Sequence, residues 1–290
     1  MNKILLLDGF NLTFRAYYAL PEFTNSKGFP TNALHGWLRT IWKLQDTEGP
    51  CKIAAFFDSG GSENREKLLE SYKDNRVEAP ETLKQQIPVI QEMTAHMGIS
   101  VHAENGVEAD DLIACAVNQV CEKYEEIVIV SADKDLAQLV RPGVSQLLPP
   151  PTARPSLGWR RLDSEGVEEK FGVTPSQIPA YLALIGDTAD NIPGIPGVGP
   201  KTAANWLKRF RDLDGIQDNC ARLSPKRFQS IIYQSRELLK KYLILTTLET
   251  HHALETLPGE KEPDLKELTS ILEEMEMPNS IEAAQKRYPG

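Results

Sequence analysis

Gly186-Asp187-Thr188-Ala189-Asp190-Asn191-Ile192-Pro193-Gly194-Ile195-Pro196-Gly197-Val198-Gly199-Pro200-Lys201-Thr202-Ala203 joins two acidic residues directly to a glycine turn. Asp187 and Asp190 are three positions apart, so on one helical turn they face the same way and can share a cation. Ile195-Pro196-Gly197-Val198-Gly199 then runs into a helical pattern from Lys201 to Phe210. That places backbone N–H groups at a helix N-terminus, where a phosphate oxygen can be held. Either half alone is ambiguous, because Asp and Asn favour caps and turns and a GxG turn is often a plain helix connection. A metal grip and a phosphate grip this close in sequence suggest phosphodiester chemistry.

Further acids sit where apolar runs end. Ile4-Leu5-Leu6-Leu7 stops at Asp8-Gly9, and Ile53-Ala54-Ala55-Phe56-Phe57 stops at Asp58-Ser59-Gly60. Both read as buried parallel strands. Ile127-Val128-Ile129-Val130, followed by Ser131-Ala132-Asp133-Lys134-Asp135, is a third, and Ile99-Ser100-Val101-His102 a weaker fourth. Beyond it, Glu108-Ala109-Asp110-Asp111 opens an apolar helix from Leu112 to Val120. Ligands of open α/β sheets bind beyond the carboxyl ends of the strands, where these acids would gather. Asp8, Asp58, Glu108, Asp110, Asp111, Asp133, Asp135, Asp187 and Asp190 make nine candidate carboxylates. Crowded like charges destabilise a fold unless cations neutralise them. Oxygen ligands with no accompanying His or Cys point to Mg²⁺ or Mn²⁺. Two such ions about 3.5–4 Å apart would clamp the attacking and leaving oxygens of an in-line displacement at phosphorus.

The ordered set resembles the 5′ nuclease superfamily: flap endonucleases, the 5′ nuclease domain of bacterial DNA polymerase I and the stand-alone phage 5′ exonucleases. The resemblance runs through Leu7-Asp8-Gly9 with Asn11 and Phe14-Arg15, Phe57-Asp58, Tyr72-Lys73 with Arg76, and Gly106-Val107-Glu108-Ala109-Asp110-Asp111. It continues through Ser131-Ala132-Asp133-Lys134-Asp135, Gly186-Asp187 with Asp190-Asn191, and the helix-hairpin-helix turn, covering nearly the whole chain. It implies a first metal site at Asp8, Asp58, Glu108, Asp110, Asp111 and Asp133, and a second at Asp135, Asp187 and Asp190. It further implies that Lys73 and Arg76 belong to a helical arch over the scissile phosphate and that Arg15 lies near the active site. By sequence alone Lys73 and Arg76 read as a solvated helix face, since Glu63 to Glu78 mixes both signs; the resemblance reverses that preference. At the turn it implies DNA contacts by Gly197, Gly199, Lys201, Thr202, Lys208 and Arg209, with K⁺ as a further ion there.

A net charge of −9 looks wrong for a DNA binder, because duplex affinity comes largely from Lys and Arg contacts to phosphate. Its distribution resolves this. Without the nine candidate ligands the chain has 32 acids against 32 bases, so the excess negative charge equals the proposed metal site. Residues 199–242 hold ten bases against four acids, a basic surface beside the glycine turn suited to a duplex backbone. Residues 243–290 reverse this, with ten acids, four bases and Pro-Gly-Glu-Lys-Glu-Pro at 258–263, and read as a peripheral, solvated region.

Alternating strand and helix signals predict an α/β fold, a mostly parallel central sheet flanked by helices, and the resemblance implies that this is a PIN-like 5′ nuclease core with a helical arch and a helix-hairpin-helix subdomain. Residues 1–185 form the core, with the arch near 60–90 in two helix-like pieces, Glu63–Ser71 and Pro80–Met97. Residues 186–245 form the helix-hairpin-helix subdomain, and the acidic region 246–290 packs on or trails the core. Pro149-Pro150-Pro151 opens a stiff loop, and Leu157 to Leu162 returns as an edge strand. The four cysteines, Cys51, Cys115, Cys121 and Cys220, lack CxxC spacing and read as small hydrophobes in a reducing cytosol. No apolar run approaches the roughly 18 residues of a membrane helix, so a soluble cytoplasmic protein is expected, and a monomer is the expected state. The expected activity is a 5′-3′ exonuclease and 5′ flap endonuclease acting on DNA flaps or 5′ ends in replication and repair, beside a separate DNA polymerase. The competing readings are a binding-only relative, which the complete second acid set opposes, and a PIN-type ribonuclease, which would not carry the glycine turn with its basic helices.

Overall fold

Apolar runs without polar alternation need cover on both faces, and three of them form the centre of a six-stranded sheet. The computed structural model describes residues 2–254, 256 and 261–288. Its strands are β1 (Lys3–Asp8), β2 (Lys52–Phe56), β3 (Ser100–His102), β4 (Glu126–Val130), β5 (Val144–Leu148) and β6 (Arg160–Leu162), in the order β3-β2-β1-β4-β5-β6. All neighbours are parallel except β5 and β6. Leu7 pairs with both Ala55 and Val130, so β1, β2 and β4 end level and deliver their following acids to one edge.

Side chains alternate across β1. Leu5 and Leu7 join Trp37, Leu38 and Ile41 of the helix Asn32–Glu48, while Ile4 and Leu6 join Ile113 and Val117 of the helix Ala109–Val120. The helix Gly9–Ala19 packs closely on Asn32–Glu48, and a Cβ on Gly36 would lie 2.7 Å from Ala16 Cβ.

Four local features differ from the sequence reading. β5 has no clear apolar run because fully buried Gln146 interrupts it; its Nε2 donates to the carbonyl oxygens of Ser131 (3.1 Å) and Asp133. The expected edge strand is confined to Arg160–Leu162, since Pro155–Leu157 turns as a short 3₁₀ helix. The first arch piece stops at Leu68, and the second divides at Gln85 into Glu81–Lys84 and Gln86–His96; Pro88 has no N–H to return to Lys84. The acidic region is not a solvated tail. Helices Leu265–Glu274 and Pro278–Arg287 place Leu268, Leu272, Met277, Ala284 and Tyr288 in the cluster around Trp37, apolar positions at helical spacing that overall acidity hides. Residues 258–260 of its Pro-Gly run lie outside the described residues.

A second core joins Leu184 of the helix Ile178–Ile185 to Ile195, Trp206, Leu207, Phe228, Ile232 and Leu239. These come from the glycine turn and the helices Pro200–Phe210, Phe228–Gln234 and Arg236–Thr246. Among the described residues, no helix is long and apolar enough to cross a membrane.

Candidate metal centre

Asp8 caps the helix Gly9–Ala19, accepting the Asn11 N–H at 3.0 Å, and the Ser131 hydroxyl donates to its other oxygen at 2.6 Å. Asn11 Oδ1 in turn accepts the Ala132 N–H at 3.2 Å, tying the end of β1 to the end of β4. Asp58 accepts the Ala109 N–H at 2.9 Å, which sets the helix bearing Asp110 beside β2. Asp133 accepts the Asp135 N–H at 2.9 Å. Burial pushes the Asp8 carboxyl up to about 7, with repulsion from Asp133 and Asp58 adding to it. Desolvation also raises Asp58, Asp110 and Asp133. Asp133 feels Asp190 and Asp187 as well, so it stands between two groups of acids.

The second group is Asp135, Asp187 and Asp190, all buried, with one oxygen of each within 4.8 Å of the others. Asp187 and Ile192 exchange backbone hydrogen bonds of 2.7 Å, closing the loop between two glycines. A Cβ on Gly194 would fall 2.2 Å from Gly186 N, and one on Gly186 would fall 2.6 Å from the Ile192 carbonyl oxygen. Both have positive φ, so glycine is required twice for steric and torsional reasons. Asp135 Oδ1 is buried with no hydrogen-bond partner. Burial holds the Asp135 carboxyl well above its ordinary value, and the charges of Asp133, Asp187 and Asp190 raise it further. A buried all-oxygen set with an unsatisfied oxygen fits a hard divalent cation.

Cations ring the acids. Lys134 Nζ lies 2.7 Å from Asp187, Arg76 Nη2 lies 2.7 Å from Asp190, and Lys73 pairs with Glu108. The Tyr72 hydroxyl donates to Glu108 at 3.2 Å and Asp190 at 3.3 Å. Arg65, buried, reaches Glu108 at 2.6 Å and takes both oxygens of Asp111. Asp111 also accepts the Glu249 N–H at 2.7 Å. Of the nine expected ligands, Asp111 and Glu108 therefore have both oxygens engaged by protein groups. Arg65 was missed because its mixed-charge stretch gives no local sign of burial. Lys134 and Ser131 lie inside a quoted motif, but only the fold reveals their partners.

Lys73 and Arg76 do reach the acids, and the base of the arch is fastened there. The Lys73 N–H donates to the Asp190 carbonyl at 3.1 Å, Asn191 Nδ2 to the Ser71 carbonyl at 2.6 Å, and Asn75 Nδ2 to the Thr188 carbonyl at 2.6 Å. The Arg15 guanidinium donates to the Pro150 carbonyl and, at 3.4 Å, to Thr152 Oγ1. The proline loop takes up its donors.

At the glycine turn, Gly197 has φ +78° and Gly199 precedes the helix Pro200–Phe210. A Cβ on Gly199 would meet nothing within 4 Å, so the backbone there is open to a phosphate. Lys201, Lys208 and Arg209 are exposed and Thr202 is half-buried, with the Arg209 guanidinium 5.0 Å from the Phe210 ring.

Two family models match in series: "5'-3' exonuclease, N-terminal resolvase-like domain" over residues 3–172 and "5'-3' exonuclease, C-terminal SAM fold" over residues 173–266. A 5'-3' exonuclease of Aquifex aeolicus (strain VF5) is 39% identical over 291 residues, covering 99% of this chain and 97% of that protein. DNA polymerase I of Mycobacterium leprae (strain TN) is 37% identical over 267 residues, covering 89% of this chain but only 29% of the polymerase. Among solved structures, a mutant T5 5'-exonuclease superposes with a TM-score of 0.67 at 25% identity, covering 87% of this chain and 90% of that one. A bacteriophage T5 flap endonuclease complex with DNA and metal ions shares the fold, with a TM-score of 0.70 at 23% identity and coverage of 98% and 100%. The sheet order, the acids at its edge and these matches across the whole chain agree: the chain belongs to the 5′-3′ exonuclease family.

Proposed function

We propose that this chain is a divalent-metal-dependent 5′-3′ exonuclease and 5′ flap endonuclease acting on DNA, using two Mg²⁺ or Mn²⁺ ions. The observation that carries the reading is the buried Asp135, Asp187 and Asp190 triad, in which Asp135 from just after β4 brings an unpartnered oxygen to two acids on the loop that leads into an open glycine turn. The Aquifex aeolicus relative is a 5'-3' exonuclease of nearly the same length, and the T5 flap endonuclease binds DNA and metal ions.

Divalent ions in such a site supply an activated water and neutralise charge on the phosphate. Asp135, Asp187 and Asp190 would hold one ion, and Asp8, Asp58, Asp110 and Asp133, with Glu108 adjoining, would hold the other. Ser131 and the Asn11 N–H fix the orientation of Asp8. Asp111 acts through Arg65, which it orients against Glu108. Lys73 and Arg76 offer cations that steady the negative charge building on phosphorus. Gly197, Gly199, Lys201 and Thr202 would grip the duplex backbone, assisted by Lys208, Arg209 and K⁺ at the turn. The functional division proposed is a core at 1–185, the DNA grip at 186–245 and a supporting region at 246–290; the family boundary at 172/173 lies close to the first division. A separate polymerase as partner is supported by the polymerase I relatives, which carry this module within a longer chain.

Labelled flap, nicked and blunt DNA incubated with the protein in Mg²⁺, Mn²⁺ or EDTA tests the reading. Cleavage at flaps and 5′ ends only with added metal is expected; undiminished cleavage in EDTA would overturn it.

A further inference from the structure

Glu249, His251 and His252 lie on the segment after the helix Arg236–Thr246, apart from the acidic cluster, and their ligand atoms converge. Glu249 Oε2 is 3.0 Å from His252 Nε2 and 3.5 Å from His251 Nε2, and all three atoms lie within 4.8 Å of one another. The two imidazoles stack at 4.4 Å between centroids. A tetrahedral ion with bonds of about 2.0–2.1 Å needs ligand atoms about 3.3 Å apart, which both carboxylate spacings approach. Hydrogen bonding accounts for the His252 distance, but 3.5 Å exceeds an ordinary N–H···O bond. It gives no reason for His251, 71% exposed, to turn toward the same oxygen.

The donor set also differs in kind from the nuclease cluster. Two imidazoles and one carboxylate suit zinc-class ions, whereas Mg²⁺ favours oxygen ligands and retained waters. His252 and Glu249 are half-buried and His251 faces solvent, so a fourth position is left to water. The same segment supports the nuclease site from behind. The Glu249 N–H donates to Asp111, the Thr247 carbonyl accepts from Arg65 at 3.2 Å, and Cys115 Sγ donates to the Glu249 carbonyl at 3.7 Å.

We infer that Glu249, His251 and His252 form a site for one zinc-class divalent ion, which fastens residues 247–252 against the Arg65–Asp111 pair. Zinc binding by the full chain tests this, measured by equilibrium dialysis in saturating Ca²⁺ to occupy the acidic cluster. The parent and Asp187→Ala are expected to retain one tightly held zinc. His251→Ala should weaken it at least about tenfold, and the His251→Ala/His252→Ala double variant at least about a hundredfold, since losing a ligand costs no less than losing a group that orients one. Co²⁺ in place of zinc should give the parent a visible absorption band typical of four-coordinate imidazole ligation, and the double variant none. The exposure of His251 makes its single variant decisive even if the double variant folds poorly. Equal zinc affinity in parent and His251→Ala overturns the inference. So does loss of zinc in Asp187→Ala with retention in the double variant, which would put the ion in the acidic cluster.

Discussion

Arg65 and Asp111 form a two-point ion pair, Nη1 to Oδ2 at 2.7 Å and Nη2 to Oδ1 at 2.8 Å, with side-chain exposures of 3% and 2%. Glu108 closes on the same guanidinium, so the helix Glu63–Leu68 is pinned to the start of the helix Ala109–Val120. Removing one member of such a pair strands a buried charge and costs about 3–5 kcal/mol, whereas replacing both by apolar groups costs far less. Urea unfolding of the metal-free protein is therefore expected to show Arg65→Ala destabilised by about that amount, Asp111→Ala by less because Glu108 still pairs the guanidinium, and Arg65→Met/Asp111→Leu less than Arg65→Ala. Unchanged stability of Asp111→Ala with lowered metal affinity would return Asp111 to the ligand set.

Proton binding should stabilise the metal-free cluster. Burial raises the Asp8 carboxyl from 3.8 to about 7, and Asp58, Asp110, Asp133 and Asp135 shift the same way. The folded chain then holds more protons than the unfolded one between those values. Stability is full below the unfolded value and is lost as pH rises through the folded one. In EDTA, the melting temperature of the parent is expected to fall relative to Asp8→Asn as pH climbs from 3.8 to about 7. Ca²⁺ should shrink that difference, because a bound cation replaces the proton. Parallel pH curves for the two proteins in EDTA would remove Asp8 from the cluster.

The loop from Gly186 to Gly194 separates ligand loss from loop collapse. Asp187→Ala should slow cleavage by at least about a hundredfold while leaving flap binding in Ca²⁺ measurable, since it removes the carboxylate and its Lys134 pair but leaves the glycine frame of the loop in place. Gly194→Ala should lower both stability and cleavage, because its Cβ would sit 2.2 Å from Gly186 N. Single-turnover kinetics beside thermal melts distinguish them. Equal melting temperatures for Gly194→Ala and the parent would mean that the loop can open without cost.

The parts legible in sequence were those whose signal is local. β1, β2 and β4 are buried on both faces, so each reads as an unbroken apolar run, and the acid after each is read with it. β5 was hidden by Gln146, whose burial is made tolerable by carbonyls of the β4 loop. The C-terminal helices carry enough surface acid to mask Leu268 and Leu272. Arg65 was invisible because its partner Asp111 lies 46 residues away. Arg15 was assigned by resemblance alone, and the proline loop that holds it offered no local clue to that contact.

Substitutions at the glycine turn should act on duplex binding rather than on chemistry. Gly197 has φ +78°, so Gly197→Val strains the turn by about 1–3 kcal/mol besides crowding an approaching phosphate. Lys201→Ala removes one exposed cation and should reduce the slope of log affinity against log salt by about 0.9. Binding titrations at several salt concentrations measure both. Unchanged affinity and slope in the two variants would make the turn a helix connection only.

Lys73 and Lys67 lie on the same short stretch but in opposite surroundings. Lys67 pairs with Glu63 at 3.0 Å where both are 71% or more exposed, a contact worth only about 0.3–0.5 kcal/mol. Lys73 is 16% exposed and pairs with Glu108, and its backbone N–H holds the Asp190 carbonyl, which fixes its side chain at the mouth of the acids. A cation there contributes most where charge builds in the transition state. Lys73→Ala is therefore expected to lower the single-turnover cleavage rate by about a hundredfold, with a much smaller loss of DNA affinity. Arg65 and Tyr72 still bond Glu108, so the fold should survive the change. Lys67→Ala should leave rate, affinity and stability close to those of the parent. Equal small effects of the two substitutions on rate would reduce Lys73 to a structural partner of Glu108 and leave the scissile phosphate to Arg76 and the metal ions.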